Sequence, residues 1–141
     1  MNKWQLYTTN EIKPAGWLRR QLEIQAEGLG GNLHNVWRDI RESMWIGGEY
    51  SGWEKVPYWL DGFIPLAYIL DDAELKARAD KYVDIIINNQ REDGWICPCE
   101  DERRSQYDLW AGFLMCKVLV VYYECTGDER IQDVLYKALS C

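Results

Sequence analysis

The residues best suited to chemistry lie between Trp53 and Tyr68, in the run Trp-Glu-Lys-Val-Pro-Tyr-Trp-Leu-Asp-Gly-Phe-Ile-Pro-Leu-Ala-Tyr. An aromatic loop passes there into an apolar helix, with the carboxylate of Asp61 near its entry. Aromatic faces beside a carboxylate suit a sugar pocket. The rings cover the C–H face of a pyranose or furanose, and the carboxylate accepts hydroxyl hydrogen bonds or handles a proton. The same pattern also serves a Trp-rich helix entry that only packs a core, and the local residues leave both readings open.

Asp61 and Asp108 are the acids to follow, each at the expected start of an apolar helix. Either contacts sugar hydroxyls or caps a helix by accepting a backbone N–H. Trp45, Trp53, Tyr58, Trp59, Trp95 and Trp110 are the candidate ring platforms, whereas Trp17 and Trp37 read more readily as packing. Trp95 follows Asp93-Gly94, a turn that sets a ring against the next element. The substrate-binding set is therefore Trp53, Tyr58, Trp59, Asp61, Trp95 and Asp108, with no nucleophile or acid assigned. Gly47-Gly48 permits a turn or a close backbone approach to a ligand. Glu100–Arg104 reads as a solvated charge run.

The cysteines are Cys97, Cys99, Cys116, Cys125 and Cys141. An odd number without a signal peptide reads as free thiols. Cys97-Pro98-Cys99 offers two zinc ligands where a site needs four, and the single His34 is distant in sequence. No metal site is expected within this chain. Cys116 and Cys125 fall on a helical pattern and read as small core residues.

The elements that must position these groups are helical almost throughout. Pro14 opens a first helix, which the Gly28–Asn32 glycines are expected to end through a left-handed cap. A short helix over Leu33–Ile40 and a long aromatic loop over Met44–Trp53 follow. A second long helix is expected from about Tyr58 to Leu70, with Pro65 kinking it or marking its early part. Asp71-Asp72 breaks it and caps a third, Ala73–Gln90. A charged loop spans Arg91–Ser105, then an apolar helix runs from Gln106 to Cys125 and an amphipathic one from Glu129 to Ser140.

This layout repeats. Gly62-Phe63 matches Gly112-Phe113 at a spacing of 50, and the Asp72 turn resembles the Asp128 turn at a spacing of 56. Each unit is an apolar helix, a tight acidic turn and an amphipathic helix. Stacked helix pairs make either an α-solenoid or an α/α toroid. A helix apolar all round belongs inside, so the contrast between Leu109–Tyr123 and Asp128–Ser140 favours the toroid. The fold class is all-α, with helical hairpins forming part of an (α/α)6 toroid.

Composition excludes several classes. The formal charge is −7, and no Lys/Arg cluster exceeds a pair, which argues against nucleic acid. No run approaches the ~18 apolar residues of a membrane span. Eight Trp and nine Tyr against two Phe favour half-wet pockets over sealed cores. Without a signal-peptide pattern at Met1–Gln5, a cytoplasmic location is expected.

A set of motifs follows in order: Pro14-Ala15-Gly16-Trp17-Leu18-Arg19-Arg20-Gln21-Leu22, Trp45-Ile46-Gly47-Gly48, the Trp53–Gly62 run, Gln90-Arg91-Glu92-Asp93-Gly94-Trp95, and Tyr122-Tyr123-Glu124-Cys125-Thr126-Gly127-Asp128-Glu129-Arg130. This set resembles the β-L-arabinofuranosidase family, glycoside hydrolase family 127, and its uncharacterised relatives. The likeness covers Ile12 to Cys141 and leaves residues 1–11 as an N-terminal extension. It implies an (α/α)6 catalytic domain that hydrolyses glycosidic bonds, a carbohydrate substrate, and a chain corresponding to the N-terminal part of that domain. It places the family's cysteine nucleophile, glutamate acid/base and cysteine–glutamate zinc site in the later half. The zinc therefore belongs to the complete domain and not to this chain. Characterised members tend to carry a His after the Ala-Gly of the fourth helix, where this chain has Phe113, which leaves the sugar open. The incomplete ring is expected to be inactive alone and to self-associate. Two other readings stand beside it. One is a non-catalytic helical-repeat protein that binds a protein or peptide. The other is an unsaturated-uronyl hydrolase or lyase built on the same toroid.

Overall fold

The computed structural model describes Trp4 and residues 7–141. The described residues are all-α: they contain seven α-helices and two short 3-10 turns, with one isolated bridge between Ser43 and Tyr50. The helices are α1 (Gly16–Glu27), α2 (Leu29–Val36), α3 (Arg38–Arg41), α4 (Lys55–Leu70), α5 (Ala73–Asn88), α6 (Trp110–Thr126) and α7 (Arg130–Ser140).

The two hairpins α4–α5 and α6–α7 carry the architecture. Ten of the sixteen residues of α4 are buried against six of sixteen in α5, and eight of seventeen in α6 against two of eleven in α7. The first helix of each pair is thus the inner one, as its apolar composition predicts. α4 packs on α6, and α1 and α2 lie against α4. The core gathers Val56, Leu60 and Ile64 of α4, Met115, Val118 and Leu119 of α6, Val83 and Ile86 of α5, and Ile131 of α7, each almost fully buried. Between α4, α5 and α6, Asp80 accepts hydrogen bonds from Tyr68 Oη at 2.6 Å and Tyr122 Oη at 3.0 Å.

The acidic turns behave as the sequence predicts. Asp71 ends α4 in the left-handed region at φ 59°, and Asp72 caps α5 by accepting the Leu75 N–H at 2.9 Å. In the second hairpin Gly127 takes the left-handed position at φ 72°, and Asp128 accepts the Arg130 N–H at 3.1 Å.

Several boundaries differ from expectation. The glycines after α1 form no left-handed cap: Gly28 is extended at φ −88°, and Gly30 and Gly31 lie inside α2. Their role is close approach, because a Cβ on Gly31 would overlap the carbonyl oxygen of Ala26. The expected Leu33–Ile40 helix is two pieces, broken at Trp37, whose φ −106° and ψ 113° are extended. The Met44–Trp53 loop holds a 3-10 turn over Met44–Ile46, closed by Gly47 at φ 81°. α4 starts at Lys55 rather than Tyr58, with Pro57 at its third position, where no intrahelical N–H is needed. It continues past Pro65 to Leu70. α6 starts at Trp110 rather than Gln106, because Asp101–Gln106 forms a separate 3-10 turn.

The repeat also has a different register. Gly62-Phe63 and Gly112-Phe113 do not occupy equivalent places, since Phe63 is 2% exposed and Phe113 60%. Glu54 meets Trp110 and Asp61 meets Lys117 across the two inner helices, both at a separation of 56. That is the spacing of the two acidic turns, so α4 and α6 run parallel and in register at 56.

Candidate functional site

α4 and α6 share one face that the core does not cover. Tyr58 and Gly62 of α4 and Trp110, Phe113, Lys117 and Val120 of α6 are exposed on it, with Asp61 and Pro65 partly so. The residues recur at three- and four-residue steps, so each helix contributes one stripe. Two polar links cross between the stripes. Trp110 Nε1 donates to Glu54 Oε2 at 3.0 Å, and Lys117 Nζ pairs with Asp61 Oδ1. The links lie two helical turns apart along the shared face, with Tyr58 and Phe113 between them.

The six expected site residues fall into three groups. Trp53, Tyr58 and Asp61 belong to this face or its upper edge. Trp53 precedes α4 and is 36% exposed, and its carbonyl accepts Trp45 Nε1 at 2.7 Å, which ties the loop to buried Trp45. Tyr58 is 51% exposed. Asp61 sits in the second turn of α4, not at its start, so its carboxylate caps nothing and instead reaches α6.

Asp108 and Trp95 lie beside the start of α6. Asp108 Oδ1 accepts the Trp110 N–H at 2.9 Å, fixing the entry to the helix as a capping acid does. Trp95 donates Nε1 to the Cys97 carbonyl at 2.7 Å, meets Tyr107 edge-on and lies under Arg104 at 5.0 Å.

Trp59 faces the opposite way. It is 7% exposed, stacks on Phe63 at a centroid distance of 4.7 Å, meets Tyr82 edge-on, and donates Nε1 to the Gly30 carbonyl at 2.9 Å. Its ring is part of the core and locks α2 to α4. Trp45, at 2% exposed, is likewise interior. Trp110 and Phe113 are the open rings instead. Trp110 was visible in the sequence as a Trp at a helix entry, but its partner Glu54 had no local signal, because the two are 56 residues apart.

A polar cleft of about 450 Å³ opens between the Met44–Ser51 loop and the Pro98–Tyr107 segment. Ser51, Cys99, Glu100, Arg103, Gln106 and Tyr107 line it. The charge run Glu100–Arg104, expected to be only solvated, thus forms one wall. Arg104 is held by Asp93 and Asp101, which raises its already high pKa. The Arg104 guanidinium in turn holds the Asp93 carboxyl below the usual carboxylate range. Burial pushes the Tyr107 phenol up, and its hydroxyl is sealed from solvent without a hydrogen-bond partner.

The residues present do not fit the zinc that the resemblance implies. Cys97 and Cys99 are buried, and burial, with the neighbouring thiols, pushes Cys97 up to about 12. Among the described residues no group of three His, Cys, Asp or Glu side chains converges on one point.

The geometry and the motif order agree with one family comparison. The model of the β-L-arabinofuranosidase GH127 catalytic domain matches residues 9–141. The chain belongs to this family. The matched region takes in both hairpins, the shared α4–α6 face and the polar cleft. It also includes Thr9 and Asn10, where the Asn10 side chain donates to the Cys125 carbonyl at 2.7 Å and docks the segment on the end of α6. Comparisons with curated proteins and with solved structures gave no match. Among the described residues no helix is long and apolar enough to cross a membrane.

Proposed function

We propose that this GH127 chain is the N-terminal portion of a glycoside hydrolase catalytic domain and supplies one wall of its sugar pocket. The observation that carries the reading is the uncovered α4–α6 face. Open aromatic rings at Trp53, Tyr58, Trp110 and Phe113 stand beside the Asp61 carboxylate, and cross-links at Glu54 and Lys117 fix the spacing between the helices. Rings take the C–H face of a sugar, and the charged pair takes its hydroxyls. Asp108 and Trp95 shape the entry, and Trp59 supports α4 from behind.

Hydrolysis needs a nucleophile or activated water and an acid across one bond. Asp61 is engaged by Lys117 and Asp108 by a backbone N–H. On this reading the chain alone is inactive, and the reacting groups come from the remainder of the domain. Phe113 offers a ring where a polar contact to L-arabinofuranose would serve, so a β-L-arabinofuranoside is one candidate among glycans.

Release of nitrophenol from aryl β-L-arabinofuranosides and other aryl glycosides tests this. The 141-residue chain stays at background, and the domain completed with its C-terminal remainder turns over one of them. Turnover by the chain itself would overturn the reading.

A further inference from the structure

Three of the five cysteines, each from a different element, line one cavity. It encloses about 160 Å³ between the start of α6, the end of α7 and the Trp95–Cys97 segment, and Cys97, Cys116 and Cys141 all border it. The other two lie elsewhere: Cys99 borders the polar cleft, and Cys125 Sγ lies 2.8 Å from Thr9 Oγ1. The rest of the lining is apolar, with Trp95, Leu109, Phe113 and Leu139 prominent, so the thiols are its reactive groups.

The end of α7 is fixed at this cavity by packing. Gln90 Nε2 donates to the Val134 carbonyl at 2.9 Å and to the Gly94 carbonyl at 3.0 Å, which ties α7 to the turn before Trp95. Gly94 has φ 93°, and a Cβ there would lie 2.4 Å from the Lys137 carbonyl oxygen and 3.3 Å from Cys141 Cβ. A glycine lets the turn approach α7 this closely, and that approach sets Cys141 beside α6. Cys141 follows Ser140, the last residue of α7, so its backbone is outside the helix. A disulfide needs Cβ atoms about 3.5–4.5 Å apart, and the non-helical backbone at Cys141 can adjust to that distance.

The three thiols differ in access. Cys141 is exposed, Cys116 half-buried and Cys97 buried. Cys97 Sγ packs against Gly112, 2.7 Å from where a Cβ would stand, and its high pKa keeps it a thiol. Burial, and after it the Cys141 charge, also raises Cys116. The thiol open to a reagent is Cys141, with Cys116 behind it as the partner that follows.

We propose that this cavity is a thiol–disulfide exchange site, in which exposed Cys141 takes up a small disulfide such as oxidised glutathione and Cys116 displaces it to leave a Cys116–Cys141 bond between α6 and α7. In the first step the Cys141 thiolate attacks one glutathione sulfur, the glutathione S–S bond breaks, and one glutathione thiol leaves. In the second the deprotonated Cys116 sulfur attacks Cys141 Sγ, and the second glutathione leaves. Two electrons pass from the two cysteines to one glutathione disulfide, and the two cysteine protons end on the two glutathione thiols. Excess thiol runs both steps backwards. The inference stands apart from the glycan reading.

The test is to incubate the reduced, native chain with oxidised glutathione, trap the free thiols by alkylation and map the tryptic peptides by mass spectrometry. Trypsin leaves Cys116, Cys125 and Cys141 on separate peptides, and Cys97 with Cys99 on another. The expected product is a Cys116–Cys141 linked pair in monomeric chain, lost on reduction, with Cys97, Cys99 and Cys125 alkylated. Cys116→Ser stops the sequence halfway, so Cys141 accumulates as its glutathione mixed disulfide. Cys141→Ser leaves Cys116 alkylated. Both variants keep the circular dichroism spectrum of the unmodified chain. In denaturant the Cys116–Cys141 preference is lost, because the fold alone brings these thiols together. Absence of the linked pair, its presence only between two chains, or oxidation of Cys116 that persists in Cys141→Ser overturns the proposal.

Discussion

Neighbouring residues on α4 do opposite work. Tyr58 points outward and Trp59 is locked between Phe63, Tyr82 and the Gly30 carbonyl. Trp59→Ala should cost about 3–5 kcal/mol in denaturant melts, as for other buried aromatics. Tyr58→Ala should stay within about 0.5 kcal/mol, and its effect should show in activity of the completed domain. Asp61→Ala removes a half-open ion pair, whose contribution to stability is at most about 1 kcal/mol. Its activity loss should exceed that cost, and unchanged turnover with a lowered midpoint would make Asp61 purely structural. His34 gives a pH handle. Burial, aided by the nearby Arg78 charge, lowers its pKa below the usual histidine value, and its ring stacks near Trp59. A depressed folded pKa makes stability full above the unfolded value of about 6.5 and lost as pH falls through the folded value. The melting temperature should fall over that interval, and His34→Gln should flatten this part of the profile.

At the scale of elements, caps and glycines set the helix ends and contacts. Asp72 accepts the Leu75 N–H, so Asp72→Ala should destabilise by about 1 kcal/mol. The two inner-helix glycines separate cleanly. A Cβ on Gly62 meets nothing within 4 Å, so Gly62→Ala should stabilise by about 0.5–1 kcal/mol. A Cβ on Gly112 would lie 2.7 Å from Cys97 Sγ, so Gly112→Ala should destabilise by displacing the Cys97 loop. Paired thermal melts read the sign directly. Equal shifts for both variants would contradict the 56-residue register, in which the two glycines are not equivalent.

At the scale of the whole molecule, the outer edges stay apolar. Trp17 on α1 and Tyr136 on α7 are each 74% exposed, and Leu18, Ile24 and Leu139 extend these patches. Apolar surface of this kind drives association, so light scattering should show dimers or larger species. Trp17→Glu with Tyr136→Glu should shift them toward monomer, and a clean monomer in the unmodified chain would count against an uncovered toroid edge. Acid should loosen the molecule. Lys76 beside Asp71, Arg104 beside Asp93 and Arg130 beside Asp128 hold those carboxyls below their ordinary range. Depressed carboxyl values contribute stability above the unfolded value of about 4, and that contribution is lost as pH falls through the folded values. Melting temperatures measured downward from neutral pH should drop most steeply below that value.

The sequence by itself determined the all-α class, the paired inner and outer helices and the acidic turns, because helical periodicity and capping are short-range properties written within a few residues. It also carried the ordered motifs that place the chain among GH127 catalytic domains. Tertiary structure alone decided which rings are open. An inner helix that is apolar all round has no local mark for its uncovered face, so Trp59 and Tyr58, or Phe63 and Phe113, look alike until their neighbours are placed. It also decided the 56-residue register, since the Glu54–Trp110 and Asp61–Lys117 links form only when two distant helices lie side by side. The polar cleft has the same origin: its walls come from two loops some fifty residues apart.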